Sequence, residues 1–327
     1  MSKPVLFVSF RPLSRAENLN EIYTAYNGDK VHILSKDPRF INEVRSGKYD
    51  LMVTDDFPSV TPGKCIVIWH GIQGGKTIGF DQPGNPYFSK QTSSMITYVI
   101  SAGTGMIPIW SRCTGIAYSH ILPLGMPRTD EYIYYKHEPS DIKTYLYVPT
   151  FRDRNDPPLP PIDWALIDNK LTDDEVFIVK PHPWQFDTSI DQVTNGIGNG
   201  MCKHIVVLSP ASATTPYLYD ADVVITDYSS IMFDAYLLNK PVVLFDKDPQ
   251  WNYATDRGMY LDYPYDYGSY CAHEEDYMIT LARYRTKHPF LTEVEKRCRD
   301  LVADMCDGHA CERLCKLIHT LNGGELP

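Results

Sequence analysis

The sequence has no excess of basic charge and no long hydrophobic run. Its 327 residues include 41 acidic and 31 basic side chains, which gives a formal net charge of −10. Broad binding to nucleic acid requires a basic surface, so we expect no nucleic-acid partner. No apolar run reaches the length of a membrane helix. We therefore expect a cytoplasmic protein, with peripheral contact at the inner face of the cell membrane left open.

The sequence also lacks the cysteine spacing of a zinc site or a disulfide framework. Its eight cysteines include no C-x-x-C pair. Cys311 and Cys315 lie one helical turn apart, near His309 and His319, which leaves a metal site as a weaker alternative. Reduced thiols packed in helices fit the composition better, so we expect no metal.

The glycine fingerprint of dinucleotide-binding folds is absent, so we expect no such cofactor. What the chain does have is two series of short apolar runs separated by amphipathic segments. Such alternation predicts parallel sheets. The predicted strands of the first series are residues 5–10, 31–35, 51–54, 65–69, 96–101 and 120–124. Those of the second series are residues 144–148, 176–179, 204–208, 223–226 and 242–245.

The two series predict an α/β protein with two Rossmann-like domains. Residues 130–140 are polar and aromatic and form the best linker candidate, which gives domains of 1–135 and 136–327. The second domain would include the three helices predicted after residue 275. Two such domains facing a cleft suggest the glycosyltransferase-B architecture.

Residues 221–246 carry the clearest sign of a binding site. They read as a buried strand, a hydroxyl-rich turn, a helix and a second buried strand. Asp227, Ser229 and Ser230 fall where the strand ends and the helix begins, a position whose free N–H groups favour a phosphate. The alternative is that one of these side chains only caps the helix.

His70 follows the predicted strand 65–69 in the motif Trp69-His70-Gly71. An imidazole at the carboxyl edge of a sheet can act as a general base, because its pKa lies near neutral pH. A structural histidine is the alternative interpretation. The loop that follows, residues 72–94, is long enough to indicate either function or disorder.

Two further strands end in residues that could contact a donor. The strand 176–179 leads into Lys180-Pro181-His182-Pro183, where the prolines stiffen the backbone around His182. The strand 144–148 leads to Thr150 and Arg152, and an arginine there can clamp a phosphate. A rigid turn with a buried histidine is the structural alternative for the first motif.

Several motifs in a fixed order resemble the CDP-glycerol glycerophosphotransferase family of teichoic-acid and capsule synthesis. The block from Thr226 to Ser230, followed by Phe233-Asp234 and Lys240-Pro241, is the most characteristic. The others are Trp69-His70-Gly71, Gly125-Met126-Pro127-Arg128-Thr129-Asp130, Pro149-Thr150-Phe151-Arg152, Lys180-Pro181-His182-Pro183 and Arg257-Gly258.

The resemblance implies transfer of a polyol phosphate from a CDP-activated donor to an acceptor hydroxyl, with release of CMP. The donor would be CDP-glycerol or CDP-ribitol, with glycerol favoured, and the acceptor a lipid-linked or soluble glycan. The first domain would then serve the acceptor and the second the donor. The family usually continues Trp-His-Gly with Thr-Pro-Leu-Lys, whereas this chain continues with residues 72–76 as Ile-Gln-Gly-Gly-Lys. That departure leaves the acceptor open.

This scheme gives each candidate residue a role. His70 would take the acceptor proton, and His182 with Arg152 would meet the pyrophosphate. The remaining donor-side candidates are Thr150, Lys180, Asp227, Ser229, Ser230 and, for the ribose, Asp234. The sequence shows no dense carboxylate cluster for Mg²⁺, and Asp55-Asp56 is expected to be an exposed pair of loop charges.

Two alternatives remain open from the sequence. One is a glycosyltransferase that uses a nucleotide sugar, which would share the fold and differ in the transferred group. The other is a catalytically idle protein that binds a nucleotide or a glycan, which the altered segment after His70 would allow.

Overall fold

The computed structural model divides the chain into two compact units. The first comprises Met1–Tyr134 and Asp300–Pro327, and the second comprises Tyr135–Arg299. Each unit contains one six-stranded sheet with parallel pairing between neighbouring strands. The predicted α/β fold with two Rossmann-like domains is therefore confirmed. The structure describes residues 2–82, 88–136, 138, 140–151, 159–182, 202–247, 258–286 and 291–323.

The sheet of the first unit has the strand order β2-β1-β3-β4-β5-β6. Every residue of β1 and β3 is buried, as expected for parallel strands covered on both faces. The six strands are β1 Val5–Ser9, β2 Lys30–Leu34, β3 Leu51–Thr54, β4 Lys64–Ile68, β5 Tyr98–Ser101 and β6 Ile121–Pro123.

Short helices connect these strands. Helix α1 buries Leu19 and Ile22 against the sheet, because the two residues are three apart and share one helical face. The four α-helices are α1 Glu17–Ala25, α2 Phe40–Val44, α3 Lys90–Ser94 and α4 Ile107–Thr114. Single 3₁₀ turns cover Leu13–Arg15, Gly79–Asp81, Thr104–Met106 and Tyr118–His120, and a longer 3₁₀ helix covers Pro127–Tyr134.

The sheet of the second unit has the strand order β12-β11-β10-β7-β8-β9. Every residue of β10 and β11 is buried, and so are the last three residues of β7. The strands are β7 Lys143–Tyr147, β8 Glu175–Val179, β9 Ile205–Val207, β10 Val223–Thr226, β11 Val242–Phe245 and β12 Cys271–Ala272. The described helices are α5 Trp164–Lys170, α6 Thr215–Asp220, α7 Ile231–Leu237, α8 Glu275–Thr286 and α9 Glu293–Ala303.

The C-terminal helix α10, Ala310–Leu321, packs into the first unit and not into the second domain to which the sequence analysis assigned it. Its buried residues Leu314 and Ile318 join the core of the first sheet. Asp130 of the first unit also accepts hydrogen bonds from Ala310 N (2.9 Å) and Cys311 N (2.8 Å) at the start of α10. Helical periodicity predicted the helix and its apolar face, but periodicity does not specify which core receives that face.

The segment after His70 is largely buried where the structure describes it. Residues 71–75 are buried, and the 3₁₀ turn Gly79–Asp81 and helix α3 lie within the predicted loop 72–94. Among the residues that the structure describes, no helix is both long and apolar enough to cross a membrane.

A buried ion pair joins α8 and α9 in the second unit. Arg285 is 3% exposed and Glu295 is fully buried, and the guanidinium donates to Glu295 Oε1. Thr292 N and Thr292 Oγ1 donate to the other carboxylate oxygen at 2.8 and 2.9 Å. The guanidinium also lies 4.6 Å from the centre of the Tyr270 ring. Glu295 is thus bonded at both carboxylate oxygens, whereas Arg285 Nε is buried without a hydrogen-bond partner among the described residues.

We expect Arg285→Met to lower the free energy of unfolding by about 3–5 kcal/mol, because it leaves the carboxylate of Glu295 buried without its cation. The control is Lys296→Met, which breaks the exposed Glu293–Lys296 pair (2.8 Å) and should cost no more than about 0.5 kcal/mol. Urea denaturation measures both. Equal costs for the two variants would contradict this role.

Candidate functional site

The carboxyl ends of the parallel strands in the first unit lie at one edge of its sheet. Strand β4 ends at Ile68, and its two following residues are the half-buried Trp69 and the exposed His70. The structure therefore places His70 at the edge where open α/β sheets bind ligands, as the sequence analysis predicted. Its role as a base stays a prediction.

Two side chains fix the backbone of this turn. Asn18, which is 1% exposed, donates from Nδ2 to Trp69 O (2.9 Å) and accepts from Arg128 N (3.1 Å). The guanidinium of Arg128 donates to His70 O (2.6 Å) and lies 3.7 Å from a carboxylate oxygen of Glu17. We call Asn18 and Arg128 the His70 brace. It holds both carbonyl groups of the turn.

The motif that contains Arg128 is itself locked in place. Gly125 has φ +82°, and a Cβ atom there would lie 2.3 Å from Met305 O, so only glycine fits the position. Arg128 and Asp130 make the contacts given above with residues of the first unit. These contacts hold the motif within the first unit.

Aromatic rings surround the His70 turn. The Trp69 ring centre lies 4.4 Å from that of His70 and 4.7 Å from that of Phe57, and Phe57 in turn lies 4.5 Å from Phe88. The edge beside His70 therefore presents half-buried aromatic surface next to an exposed imidazole.

Asp55 follows β3 at the same edge and is 5% exposed. The expectation of an exposed loop charge is wrong for this residue. Its Oδ1 accepts from Phe10 N (3.0 Å). Burial raises the pKa of Asp55 to about 6, against the opposing effects of the Phe10 N–H group and of Arg11.

In the second unit, Asp227 and Thr150 connect the ends of the neighbouring strands β10 and β7. Asp227 is 1% exposed, and both of its carboxylate oxygens accept from Thr150 N (3.0 Å each). Thr150 Oγ1 donates to Asp227 Oδ1 (2.7 Å), and Thr226 Oγ1 donates to Val148 O (2.6 Å). We call the hydrogen bonds between Asp227 and Thr150 the Asp227–Thr150 latch. It fixes the start of the segment that leads to Arg152.

Lys180 and His182 follow strand β8, next to β7. Lys180 is 1% exposed and donates from Nζ to Pro181 O (2.8 Å) and Pro210 O (3.1 Å). His182 is half-buried, and its ring centre lies 5.1 Å from that of Phe151. These hydrogen bonds of Lys180 hold the proline-rich turn, while the His182 imidazole lies at the sheet edge.

Ser229 and Ser230 lie between β10 and α7, and both are half-buried. Ser230 occupies the N-cap position of α7 without a hydrogen bond from its side chain to the helix, so the simple capping alternative does not describe it. Asp234 in the first turn of α7 is 1% exposed. Its predicted contact with a ribose stays a prediction.

The second unit thus brings six predicted residues to one sheet edge, after three neighbouring strands. They are Thr150, Lys180, His182, Asp227 and, just after Asp227, Ser229 with Ser230. Arg152 and Arg257 lie outside the described residues. The sequence does not predict the role of Asn18 or the contact of Arg128 with His70, because a side-chain contact between residues distant in the chain leaves no periodic pattern.

The described part of the chain contains no group of three or more His, Cys, Asp or Glu side chains arranged to hold a metal ion. Cys311 and Cys315 line a cavity of about 290 Å³ together with His319 on α10. Burial raises the pKa of both thiols.

This chain is similar to known proteins in sequence and in fold. A family model described as CDP-glycerol:poly(glycerophosphate) glycerophosphotransferase matches residues 40–320. A teichoic acid poly(ribitol-phosphate) polymerase of Bacillus spizizenii is 25% identical over 311 residues, which cover 85% of this chain and 49% of the relative. A teichoic acid glycerol-phosphate primase of Bacillus subtilis is 29% identical over 218 residues, 61% of this chain and 54% of the relative. The chain spans about half the length of these curated relatives.

Solved structures show the same fold. The wall teichoic acid polymerase TagF aligns with a TM-score of 0.76 at 20% identity, over 98% of this chain and 89% of that chain. The MnaA–UDP structure from S. aureus aligns with a TM-score of 0.64 at 10% identity, over 98% and 97% of the two chains. The resemblance inferred from the motifs is confirmed. Because the family model extends through both units, the chain belongs to the CDP-glycerol:poly(glycerophosphate) glycerophosphotransferase family.

Proposed function

We propose that this protein transfers a polyol phosphate, with glycerol phosphate favoured, from a CDP-activated donor to an acceptor hydroxyl in the synthesis of a teichoic acid, capsule or surface glycan. The observation that carries this proposal is the family match over residues 40–320. It is supported by the position of the motif residues, which follow the carboxyl ends of strands in both units.

In the proposed reaction, the acceptor oxygen attacks the phosphorus that bears the polyol. A new P–O bond forms, the bond between this phosphorus and the bridging oxygen of CMP breaks, and CMP leaves with that oxygen. The acceptor proton passes to His70. Catalysis then depends on positioning and on stabilising charge at the phosphoryl groups.

The exposure of His70 supports its role as the base, because a substrate can reach the imidazole. The His70 brace supports it further. Arg128 and Asn18 hold the two carbonyl groups of the turn, so they restrict where the imidazole can lie. We assign Arg128 as a positioning residue that acts through His70.

The second unit would bind the donor. Ser229 and Ser230, half-buried at the start of α7, would contact a donor phosphate, and His182 with Arg152 would meet the pyrophosphate. Asp227 and Lys180 are bonded to protein groups, which supports a role in holding the donor-binding loops in place. Thr150 belongs to the same latch. We propose no metal in this scheme.

The first test is CMP release from CDP-glycerol, CDP-ribitol and nucleotide sugars, with lipid-linked and soluble glycan acceptors. We expect acceptor-dependent release from a CDP-polyol, which persists in EDTA and falls about 10²–10⁴-fold in His70→Ala because the general base is lost. The control is His309→Ala, whose exposed imidazole lies at the start of α10 and should have no effect.

Turnover of a nucleotide sugar in place of a CDP-polyol would identify the protein as a glycosyltransferase. Nucleotide binding without turnover on any acceptor would identify a binding protein. Full activity of His70→Ala would reject His70 as the base, and loss of activity in EDTA would reject the metal-free scheme.

The second test addresses the His70 brace. In Arg128→Met we expect kcat to fall about 10–100-fold while the KM for the CDP-polyol stays within about twofold, because the base moves without loss of donor contacts. Arg112→Met is the matched control, since its exposed guanidinium pairs with Asp81 (2.8 Å) on the surface of the same unit. Steady-state kinetics measure both.

The NMR shifts of the His70 imidazole supply a readout beyond activity. They should move in Arg128→Met and stay unchanged in Arg112→Met. An Arg128→Met enzyme with the wild-type kcat and wild-type imidazole shifts would show that the brace has no part in positioning His70.

A further inference from the structure

A group of three charged side chains lies beside His70, at the same edge of the first sheet. Arg11 comes two residues after β1, and Asp55 and Asp56 come directly after β3, the strand next to β1. Arg11 and Asp56 are half-buried and Asp55 is almost completely buried. We call these three residues the Arg11–Asp55–Asp56 cluster. The proposed reaction has so far given it no role.

The charges of the cluster lie near one another without forming an ion pair. Phe10 N donates to Asp55 Oδ1, so Arg11, the next residue, follows a backbone group that is bonded to this carboxylate. The Arg11 charge opposes the rise in the pKa of both carboxyl groups. Within the part of the chain that the structure describes, the Arg11 guanidinium makes no hydrogen bond or ion pair. Main-chain N–H groups donate to Oδ1 of each carboxylate, from Phe10 N to Asp55 and from Phe57 N to Asp56.

Partial burial of these charges costs free energy. It disfavours the charged forms, since it lowers the pKa of Arg11 and raises the pKa values of Asp55 and Asp56. Arg11 and Asp56 nevertheless keep part of their exposure, so a ligand at this sheet edge can reach them. The backbone of Arg11 is nevertheless held, because Ser9 Oγ donates to Arg11 O (2.5 Å).

The charges and rings of this edge select the ligand chemistry. One guanidinium faces two carboxyl groups, and the carboxylate of Glu17 also acts on Arg11, so the surroundings oppose an anionic phosphate. Carboxylate oxygens accept from hydroxyl groups, and guanidinium N–H groups donate to hydroxyl oxygens. The ring of Phe57, which directly follows Asp56, offers half-buried apolar surface. A neutral group with several hydroxyls matches all of these features.

The cluster is also connected to the proposed base. The Phe57 ring centre lies 4.7 Å from that of Trp69, which lies 4.4 Å from that of His70. The rings of Phe57 and Trp69 therefore connect the cluster to the imidazole near which a bound polyhydroxyl group would lie. We propose that Arg11, Asp55 and Asp56 bind the neutral, hydroxyl-rich end of the acceptor, a terminal polyol or sugar, and present it to His70. This inference rests on the proposed function for its identification of the acceptor.

The test measures binding separately from turnover. Saturation-transfer NMR of the wild-type protein would use four probes: glycerol, ribitol, the methyl glycoside of N-acetylglucosamine, and glycerol 3-phosphate. We expect at least one neutral probe to bind, with affinity weakened about tenfold or more in Arg11→Met and in Asp55→Asn, because each loses a charge-assisted hydrogen bond. The control is Arg15→Met, an exposed arginine of the same segment, which should stay within about twofold.

The choice among neutral probes distinguishes a polyol terminus from a sugar terminus. Binding of glycerol 3-phosphate alone, or wild-type affinity for the neutral probes in both cluster variants, would overturn the assignment, as would failure of every probe to bind. Loss of probe binding in the variants, together with no CMP release from any CDP-polyol in the wild type, would reject the proposed function and leave this binding site in place. In an active enzyme, the KM for the acceptor should rise in the variants.

A stability measurement separates a binding role of Asp55 from a structural one. Its pKa is raised in the folded protein, so the stability linked to this group is present below about pH 4 and is lost as the pH rises through about 6. Asn at this position avoids that loss and can still accept from Phe10 N. We therefore expect Asp55→Asn to raise the melting temperature at pH 7.5 by roughly 3–6 °C, with the gain vanishing near pH 4.

The wild type and Asp55→Asn both contain the charged neighbours Arg11 and Asp56, so the effects of these two residues on the melting temperature cancel to first order. Asp50→Asn, at an exposed position of the same unit, is the control and should shift the melting temperature by no more than about 1 °C. A lower melting temperature for Asp55→Asn at pH 7.5 would show that the carboxylate stabilises the fold and would argue against a site left open for a ligand.

Discussion

Parallel strand pairing is the constraint on which the rest of this structure depends. In each unit it leaves every strand ending at the same edge of a sheet whose central strands are buried on both faces. The side chains that immediately follow the strands are therefore the ones that can be both fixed in position and reachable. His70 after β4 and His182 in the turn after β8 occupy such positions. The candidate site residues lie there because the sheet supplies the rigid support that loops alone lack.

Position at a strand end does not by itself decide what a residue does. Asp227 and Lys180 are almost completely buried and bond to neighbouring loops, so they shape the edge of the second sheet. Ser229, Ser230 and His182 keep more exposure at the same edge. Motif residues thus divide into those that build the edge and those that a ligand can contact. Hydrogen bonding and exposure separate the two groups, and residue type does not.

This division also explains how far the sequence could predict the structure. Apolar runs fixed eleven strands to within one or two residues, since burial on both faces of a parallel sheet imposes a strong local pattern. The two-residue strand β12 was missed because it is too short to carry one. Helix α10 was predicted, but not its packing in the first unit, which depends on the complementarity of Leu314 and Ile318 with a distant core. The contact of Arg128 with the carbonyl of His70 joins residues 58 positions apart and has no sequence signal.

Two of the arginine–carboxylate groups in this protein differ in how their charges are paired. Arg285 and Glu295 are buried together, and the pair receives two further hydrogen bonds from Thr292, which offsets much of the cost of removing both charges from water. Arg11 is also partly removed from water close to two carboxyl groups, yet the described structure forms no ion pair there. The Arg11 guanidinium has five donors, so it can donate to a ligand at this edge. Ser9 and Phe10 hold the backbone beside it, and the proposed ligand with several hydroxyls would accept from the guanidinium there.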